Sequence, residues 1–444
     1  MRERGFSNNS LKLSDSITHG TKAKIAQINQ NLEAEDQVID LSIGTLDLPA
    51  DRQIDLGVCD FIQKNTEMIH AFAPVKGFPF LLRSLAAKFK RMHGIDIDPN
   101  TEIMVTPGGI KGAITVMLQT FVNPGDEVVV PVPNWPHYAD MLYLHGAIPQ
   151  FVPSRSYPKE GLTARDLEEN ITGKTKLIIL GDCINPTGKV YTSDELRSLA
   201  QVIAAHNVRR EAERKSPIHV IFDCPYEAHV LGQRAVTFAA IEVSVPGYGT
   251  YSMRQCTATL TGPGKTYGMH GDRIGYIFAA PETIEMAARV QVNTNSFAST
   301  YGQVATHLAV QEKMDEVALG RAKHGRTNLD RVLHRLTSLG LVKIDPPDGG
   351  YFLFVDFSGY AELYKKQGYE RADLFLLQEA RVATISGSFF AEGSDDMNHF
   401  VRINCGRSMD ILDKACTRIK DALSRLNAVR SVVPNSNLSN VELR

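Results

Sequence analysis

Thr-Leu-Thr-Gly-Pro-Gly-Lys-Thr-Tyr-Gly-Met-His-Gly-Asp-Arg-Ile-Gly-Tyr, residues Thr259–Tyr276, joins the end of one apolar run to the start of another through two glycine-rich turns. The flanking runs, Thr257–Leu260 and Ile274–Phe278, have strand composition, and four more of the kind precede them: Ile103–Val105, Glu127–Val132, Lys176–Leu180 and His219–Phe222. Continuous Val- and Ile-rich runs suit strands buried on both faces, and the helix-period segments between them, such as Ile110–Phe121 and Ser193–Ala205, suit helices that cover a sheet. The expected fold class is therefore α/β, a mostly parallel central sheet flanked by helices. Such a sheet takes its ligands at the carboxyl ends of its strands.

Further out the pattern changes. A helical stretch (Val304–Leu339), a hinge at Gly349 and Gly350, and strands at Tyr351–Val355 and Val401–Asn404 indicate a second, smaller α+β domain. The expected organisation is an N-terminal arm with part of the small domain (1–50), a large domain (51–302), a small C-terminal domain (303–426) and a disordered polar tail (427–444). The formal net charge of −2 comes from interspersed charges and leaves no footprint for nucleic acid or an anionic membrane. The six cysteines are scattered without CxxC spacing, which reads as reduced core residues and no metal site. No apolar run approaches the ~20 residues of a membrane span, and residues 1–10 lack a signal core. A cytoplasmic protein with a small-molecule partner is expected.

Lys265 lies just past a strand end, with Arg273 eight positions later. A buried lysine can act as an imine-forming nucleophile, and a nearby arginine can hold an anion; a lone lysine in a loop is more often solvated. Other polar residues fall at strand ends. Thr106–Ala113 is a glycine turn into a helix, where amides can bind phosphate, with Lys111 adding charge; it can equally be a tight connection. Asn185 in Asn-Pro-Thr-Gly can donate to a phenolate or simply make a turn. Asp223 ends a buried strand, where a carboxylate can cap a helix or keep a pyridine nitrogen protonated, and Tyr226 follows it. Trp135, the single tryptophan, sits among prolines as a plate for a flat ring or as core filling. Arg402 interrupts an apolar strand, where a guanidinium needs an anion such as an α-carboxylate. Together these residues point to pyridoxal 5'-phosphate.

The ordered set Gly109, Trp135, Asn185, Asp223, Tyr226, Lys265, Arg273 and Arg402 resembles the class I/II aminotransferases, the fold type I pyridoxal-phosphate enzymes similar to aspartate aminotransferase, from about Leu41 to Leu423. The resemblance implies that Lys265 holds the cofactor as a Schiff base and moves the proton between substrate and cofactor, on the way through a quinonoid. It implies that Asp223 pairs with the pyridine nitrogen, that Tyr226 and Asn185 bond O3', and that Trp135 stacks on the ring. The amides of Gly109 and Ile110, with Lys111 and Arg273, would hold the phosphate. Arg402, with backbone near Gly44, would clamp the carboxylate of an L-amino acid, a 2-oxo acid being the acceptor. The family also implies a homodimer with shared active sites.

The chain departs from the family at three positions. Phe72 stands where the family has a tyrosine that reaches the neighbouring subunit's phosphate, and Gly262 and Gly264 stand where serines are common. Each missing hydroxyl is ordinarily worth about 0.5–1.5 kcal/mol. The changes also read as enlarging the space around the phosphate and Lys265. That motivates an alternative, a non-transaminating enzyme of elimination, cyclisation or oxidation similar to aminocyclopropane-carboxylate synthase. A pyridoxal-phosphate-binding regulator is a lesser alternative. Asp47, Asp182 and Glu227, near the motifs, are candidates to favour a basic substrate side chain.

Overall fold

The computed structural model describes residues 5–14, 17–30, 32–154, 161–230, 237–340, 342–392 and 394–432. A seven-stranded sheet runs in the order Ile103–Pro107, Ile274–Phe278, Thr257–Thr261, His219–Asp223, Thr175–Gly181, Glu127–Val132, Ile148–Pro153. Ile274–Phe278 is antiparallel to both neighbours, and the other pairings are parallel. The six anticipated runs are all strands, lengthened by one or two residues at most. Their continuous apolar character has a cause: Val128, Val129, Val130, Ile178 and Ile221 are 0 % exposed, because helices cover both faces. Helix Gly109–Phe121 packs on one face through Ile114, Met117 and Leu118, and helix Ser193–Ala212 on the other through Leu196, Leu199 and Ile203. The latter starts where the sequence places it because Thr192 and Glu195 form a capping box.

The second sheet is antiparallel, in the order Lys343–Ile344, Phe352–Asp356, Phe400–Asn404, Ile385–Ser386. Its core brings Leu353, Val401 and Ile403 against Leu329 and Leu336 of helix Asp315–Thr337 and Leu412 and Ile419 of helix Met409–Val432. The N-terminal segment joins this layer: Ile39–Asp40 pairs in parallel with Val382–Ala383, and Leu41 enters the same core.

The helix expected over Val304–Leu339 is two helices, Thr300–Ala309 and Asp315–Thr337. The break has a local cause. The Gln311 side chain donates to the His307 carbonyl at 2.7 Å, Val310 and Met314 turn into the core, and Asp315 opens the next helix paired with Arg91. Helix Met409–Val432 runs past residue 427, where the disordered tail is expected to begin; residues 433–444 lie outside the described residues. Five cysteines are buried and Cys59 is exposed, all as free thiols. Among the described residues no helix is long and apolar enough to cross a membrane.

One buried ion pair braces the floor beneath the strand ends. Lys88, on helix Pro79–His93, has no solvent exposure and is paired with Glu227, whose other oxygen faces His93 at 3.3 Å. Lys88 also donates to the Tyr276 hydroxyl at 3.1 Å. Burial works to raise the Glu227 carboxyl, and Lys88 and His93 outweigh it and hold it down to about 2. Removing one member of such a pair strands the other's charge. Lys88→Met is expected to cost about 3–5 kcal/mol in urea unfolding, and adding Glu227→Gln to recover most of the loss.

Candidate active site

A cavity of about 420 Å³ opens at the carboxyl ends of the large sheet's strands and is closed over by the second sheet. It is lined by all the cofactor and carboxylate candidates from the sequence: Gly44, Gly109, Ile110, Lys111, Trp135, Asn185, Asp223, Tyr226, Lys265, Arg273 and Arg402. The topology does this directly. Gly108, Trp135, Asn185 and Lys265 lie within a few residues of the ends of strands Ile103–Pro107, Glu127–Val132, Thr175–Gly181 and Thr257–Thr261, and Asp223 is the last residue of its own.

Lys265 sits in a short helix, Pro263–Tyr267, its ammonium donating to the Gly44 carbonyl. Tyr351 donates to the same carbonyl at 3.1 Å. A Cβ at Gly44 would lie 3.8 Å from Arg402 and 3.9 Å from Lys265 Nζ, so the glycine keeps the space between the two cations open. Burial, then the Arg402 charge, push the Lys265 amine down from 10.5 to about 8. Both causes disfavour the charged form, so the neutral nucleophile is the main species above that pH. In protein freed of any bound carbonyl compound, modification of Lys265 by an amine-reactive probe, followed by peptide mapping, is therefore expected to rise with a midpoint near pH 8; a midpoint at the ordinary lysine value would contradict the burial argument.

Asp223 is 5 % exposed and takes a hydrogen bond from the Tyr138 hydroxyl at 2.6 Å on one oxygen. Its other oxygen, Oδ1, is buried without a partner among the described residues. Burial raises the carboxyl to about 7, against the pull of the Tyr138 hydroxyl. Tyr138 is absent from the sequence reading, because a tyrosine in helix His137–Leu144 meets the aspartate only through the fold, 85 residues away. Tyr226 is buried against the rings of Tyr351 and Phe352 at 5.8 and 5.2 Å.

Arg402, in the middle of strand Phe400–Asn404, is 6 % exposed. Its guanidinium donates to Asn185 Oδ1 at 3.0 Å and to the Ser42 carbonyl at 2.6 Å, and lies over the rings of Phe352 and Phe390 at 5.4 and 5.3 Å. The Asn185 oxygen is thereby committed to Arg402, which leaves its NH₂ as the group it can offer to a ligand.

The glycine turn enters helix Gly109–Phe121 with Gly108 and Gly109 at φ +84° and +71°. The Gly109 amide, expected to reach a phosphate, is instead taken by the Arg273 carbonyl at 2.9 Å. Gly109 contributes by lacking a side chain, since a Cβ there would meet Arg273 at 3.2 Å. The next amides of the first turn, Ile110 and Lys111, have no acceptor within the helix. The Arg273 guanidinium reaches the Gly108 and His270 carbonyls, and Lys111 Nζ lies 5.2 Å from the Trp135 ring centre.

The reading that the glycines before Lys265 enlarge the space is corrected at Gly262. A Cβ at Gly262 would stand 2.8 Å from the Ile274 carbonyl oxygen, so the site has no room for a serine there without movement. At Gly264 a Cβ would make ordinary contact, 3.7 Å, with His270, whose ring occupies that side of the cavity. Among the described residues the acidic candidates do not line the cavity: Asp47 pairs with Arg407 at 2.5 Å, Glu227 with Lys88, and Asp182 is buried behind it.

These groups fit pyridoxal phosphate. The orphaned Asp223 oxygen suits a pyridinium N–H, the helix start with Lys111 and Arg273 suits a phosphate, and Lys265 lies between them and Arg402. Comparison with known proteins agrees. The family model for aminotransferase class I and II matches residues 36–419. An aspartate aminotransferase of Bacillus sp. (strain YM-2) is 29% identical over 407 residues, 91% of this chain and 96% of its own. Aromatic-amino-acid aminotransferase 2 of Thermococcus litoralis is 27% identical, covering 94% of this chain and 100% of its own. The structure of N-succinyldiaminopimelate aminotransferase from Mycobacterium tuberculosis superposes with a TM-score of 0.80 at 25% identity, over 94% of this chain and 100% of that one. These relatives favour transamination over elimination, cyclisation or oxidation. With its α/β fold, its cavity and a family match over most of its length, the chain belongs to the class I and II aminotransferases and is a pyridoxal-phosphate-dependent aminotransferase that passes an amino group from an amino acid to a 2-oxo acid.

Proposed function

We propose that the chain works as a cytoplasmic homodimer on an L-amino acid with an apolar side chain, with the cavity residues in the following roles. The observation that carries the reading is the convergence of Lys265, Asp223 and Arg402 on one cavity whose remaining wall includes Ile43, Pro131, Ile385 and Phe390. Bound pyridoxal phosphate supplies the carbonyl that receives the amino group and the ring that takes up electrons from the substrate Cα. Lys265 holds the cofactor and, when released from it, takes the proton from Cα, its lowered pKa leaving a useful share of neutral amine near pH 8. Asp223, braced by Tyr138, keeps the pyridine nitrogen protonated. Tyr226 and the Asn185 amide bond the ring hydroxyl, and Trp135 covers the ring face. Ile110, Lys111 and Arg273 hold the phosphate, while Arg402 binds the substrate carboxylate.

An apolar substrate is supported by what faces the cavity: among the described lining residues the only carboxylate is Asp223, so a basic side chain would enter without a counter-charge. Turnover with a panel of donors is expected to favour aliphatic or aromatic amino acids over lysine and arginine by at least ~10²-fold in kcat/KM. Equal use of a basic donor would overturn the side-chain reading. The dimer is supported by Phe72, 92 % exposed and in edge contact with Phe297 at 5.8 Å, a ring that water covers only at a cost. Phe72→Asp is expected to shift the protein toward monomer in sedimentation. Tyr138→Phe removes a bond to a charged carboxylate, worth about 1.5–3 kcal/mol, and is expected to weaken cofactor binding about 10- to 100-fold.

A further inference from the structure

We infer that His270 is a cofactor-phosphate ligand of this chain, its Nε2 standing in for the hydroxyl missing at Gly264. The inference rests on the reading that the phosphate lies between the start of helix Gly109–Phe121 and Arg273. His270 lines the same cavity as Ile110, Lys111, Gly264, Lys265 and Arg273. Its Nε2 is shielded from solvent and has no hydrogen-bond partner among the described residues, which for a buried ring nitrogen calls for a polar ligand. A Cβ built on Gly264 comes 3.7 Å from the His270 Cδ2, the carbon bonded to Nε2, so the imidazole edge lies beside the spot a serine side chain at 264 would reach. The ring is carried on a fixed backbone, since the His270 carbonyl takes a hydrogen bond from Arg273 Nη1 at 3.2 Å. One residue thus holds Arg273 by its main chain and presents its ring to the same corner.

The exchange of hydroxyl for imidazole is chemically consistent. Burial first, then the Lys265 ammonium, hold the His270 ring down to about 4 and neutral. A phosphate dianion would act in the opposite direction. Nε2 then becomes a charge-assisted donor, stronger than a serine hydroxyl. Gly264 and His270 are in this view a matched pair: the absent side chain admits the ring.

The test uses the full-length chain freed of cofactor and titrated with pyridoxal phosphate and, separately, with pyridoxal, which lacks the phosphate. Trp135, the only tryptophan, lines the cavity and reports both by fluorescence. His270→Ala is expected to lose about 10- to 100-fold in affinity for pyridoxal phosphate and none for pyridoxal. Adding Gly264→Ser to His270→Ala is expected to restore much of the loss by returning a hydroxyl to the same place; a double variant as weak as the single one overturns the equivalence of ring and hydroxyl. An equal loss for the two ligands, or no loss, overturns the assignment of His270 to the phosphate. Arg273→Met separates this from the reading beneath it. If Arg273→Met discriminates between the ligands and His270→Ala does not, His270 alone is misassigned; if neither discriminates, the phosphate lies elsewhere.

Discussion

Lys265→Ala is expected to abolish transamination, with a fall of at least ~10⁴-fold in kcat, since one substitution removes both the covalent anchor and the group that moves the Cα proton. The physical basis is the position of the amine. It is buried, its donation to the Gly44 carbonyl aims it into the cavity, and burial with Arg402 beside it brings its pKa to about 8. Among the described residues no second amine can take its place, because the other lysine lining the cavity, Lys111, extends toward Trp135 at the phosphate end. Steady-state assays with amino acid and 2-oxo acid in excess measure the effect. Cofactor stays bound more weakly in the variant, held by Asp223 and the phosphate corner, so the loss is one of turnover and not of folding. Residual activity within ~10²-fold of the unmodified protein would remove Lys265 from its role.

Arg402→Leu is expected to lower kcat/KM for amino and oxo acids about 30- to 4000-fold, the range for removing one side of a buried charge pair, with most of the change in KM. The guanidinium is fixed from three directions, by Asn185 Oδ1, by the Ser42 carbonyl and by the faces of Phe352 and Phe390. Such pre-ordering means little is lost when a carboxylate arrives. Cofactor affinity should change far less, because Arg402 reaches the cofactor-binding groups only through Asn185 and its charge beside Lys265. An amine without a carboxylate should bind the variant as well as it binds the unmodified protein. If that amine loses affinity equally, Arg402 supports the cavity without touching the substrate's carboxylate.

The large sheet was legible because burial on both faces removes alternation and leaves apolar runs such as Glu127–Val132 and His219–Phe222. The edge strand Ile148–Pro153 escaped notice because it carries Pro149 and Pro153 and is half exposed, the composition an edge tolerates. The hairpin Glu242–Val245 with Gly249–Ser252 is short and lies outside the sheet, so no run announces it. At the site, residues at strand ends were readable from position: Asp223 and Lys265 need only the sheet to bring them together. Tyr138 and His270 were not, since only the three-dimensional fold sets Tyr138 against Asp223 and brings His270 into the same cavity. Lys88 reads as one more charged residue of an amphipathic helix, and only the strand carrying Tyr276 and the turn carrying Glu227 make it a buried ion. The Gly109 amide was misread because its competitor, the Arg273 carbonyl, lies on an antiparallel strand start far along the chain.

The central claim is tested most directly by the absorption spectrum of the purified protein before and after addition of single L-amino acids, with no 2-oxo acid present. Stoichiometric loss of the visible cofactor band, with pyridoxamine phosphate left in the site and the band restored by a 2-oxo acid, is the predicted result. Return of the band as the amino acid is consumed, without any 2-oxo acid, would contradict transamination.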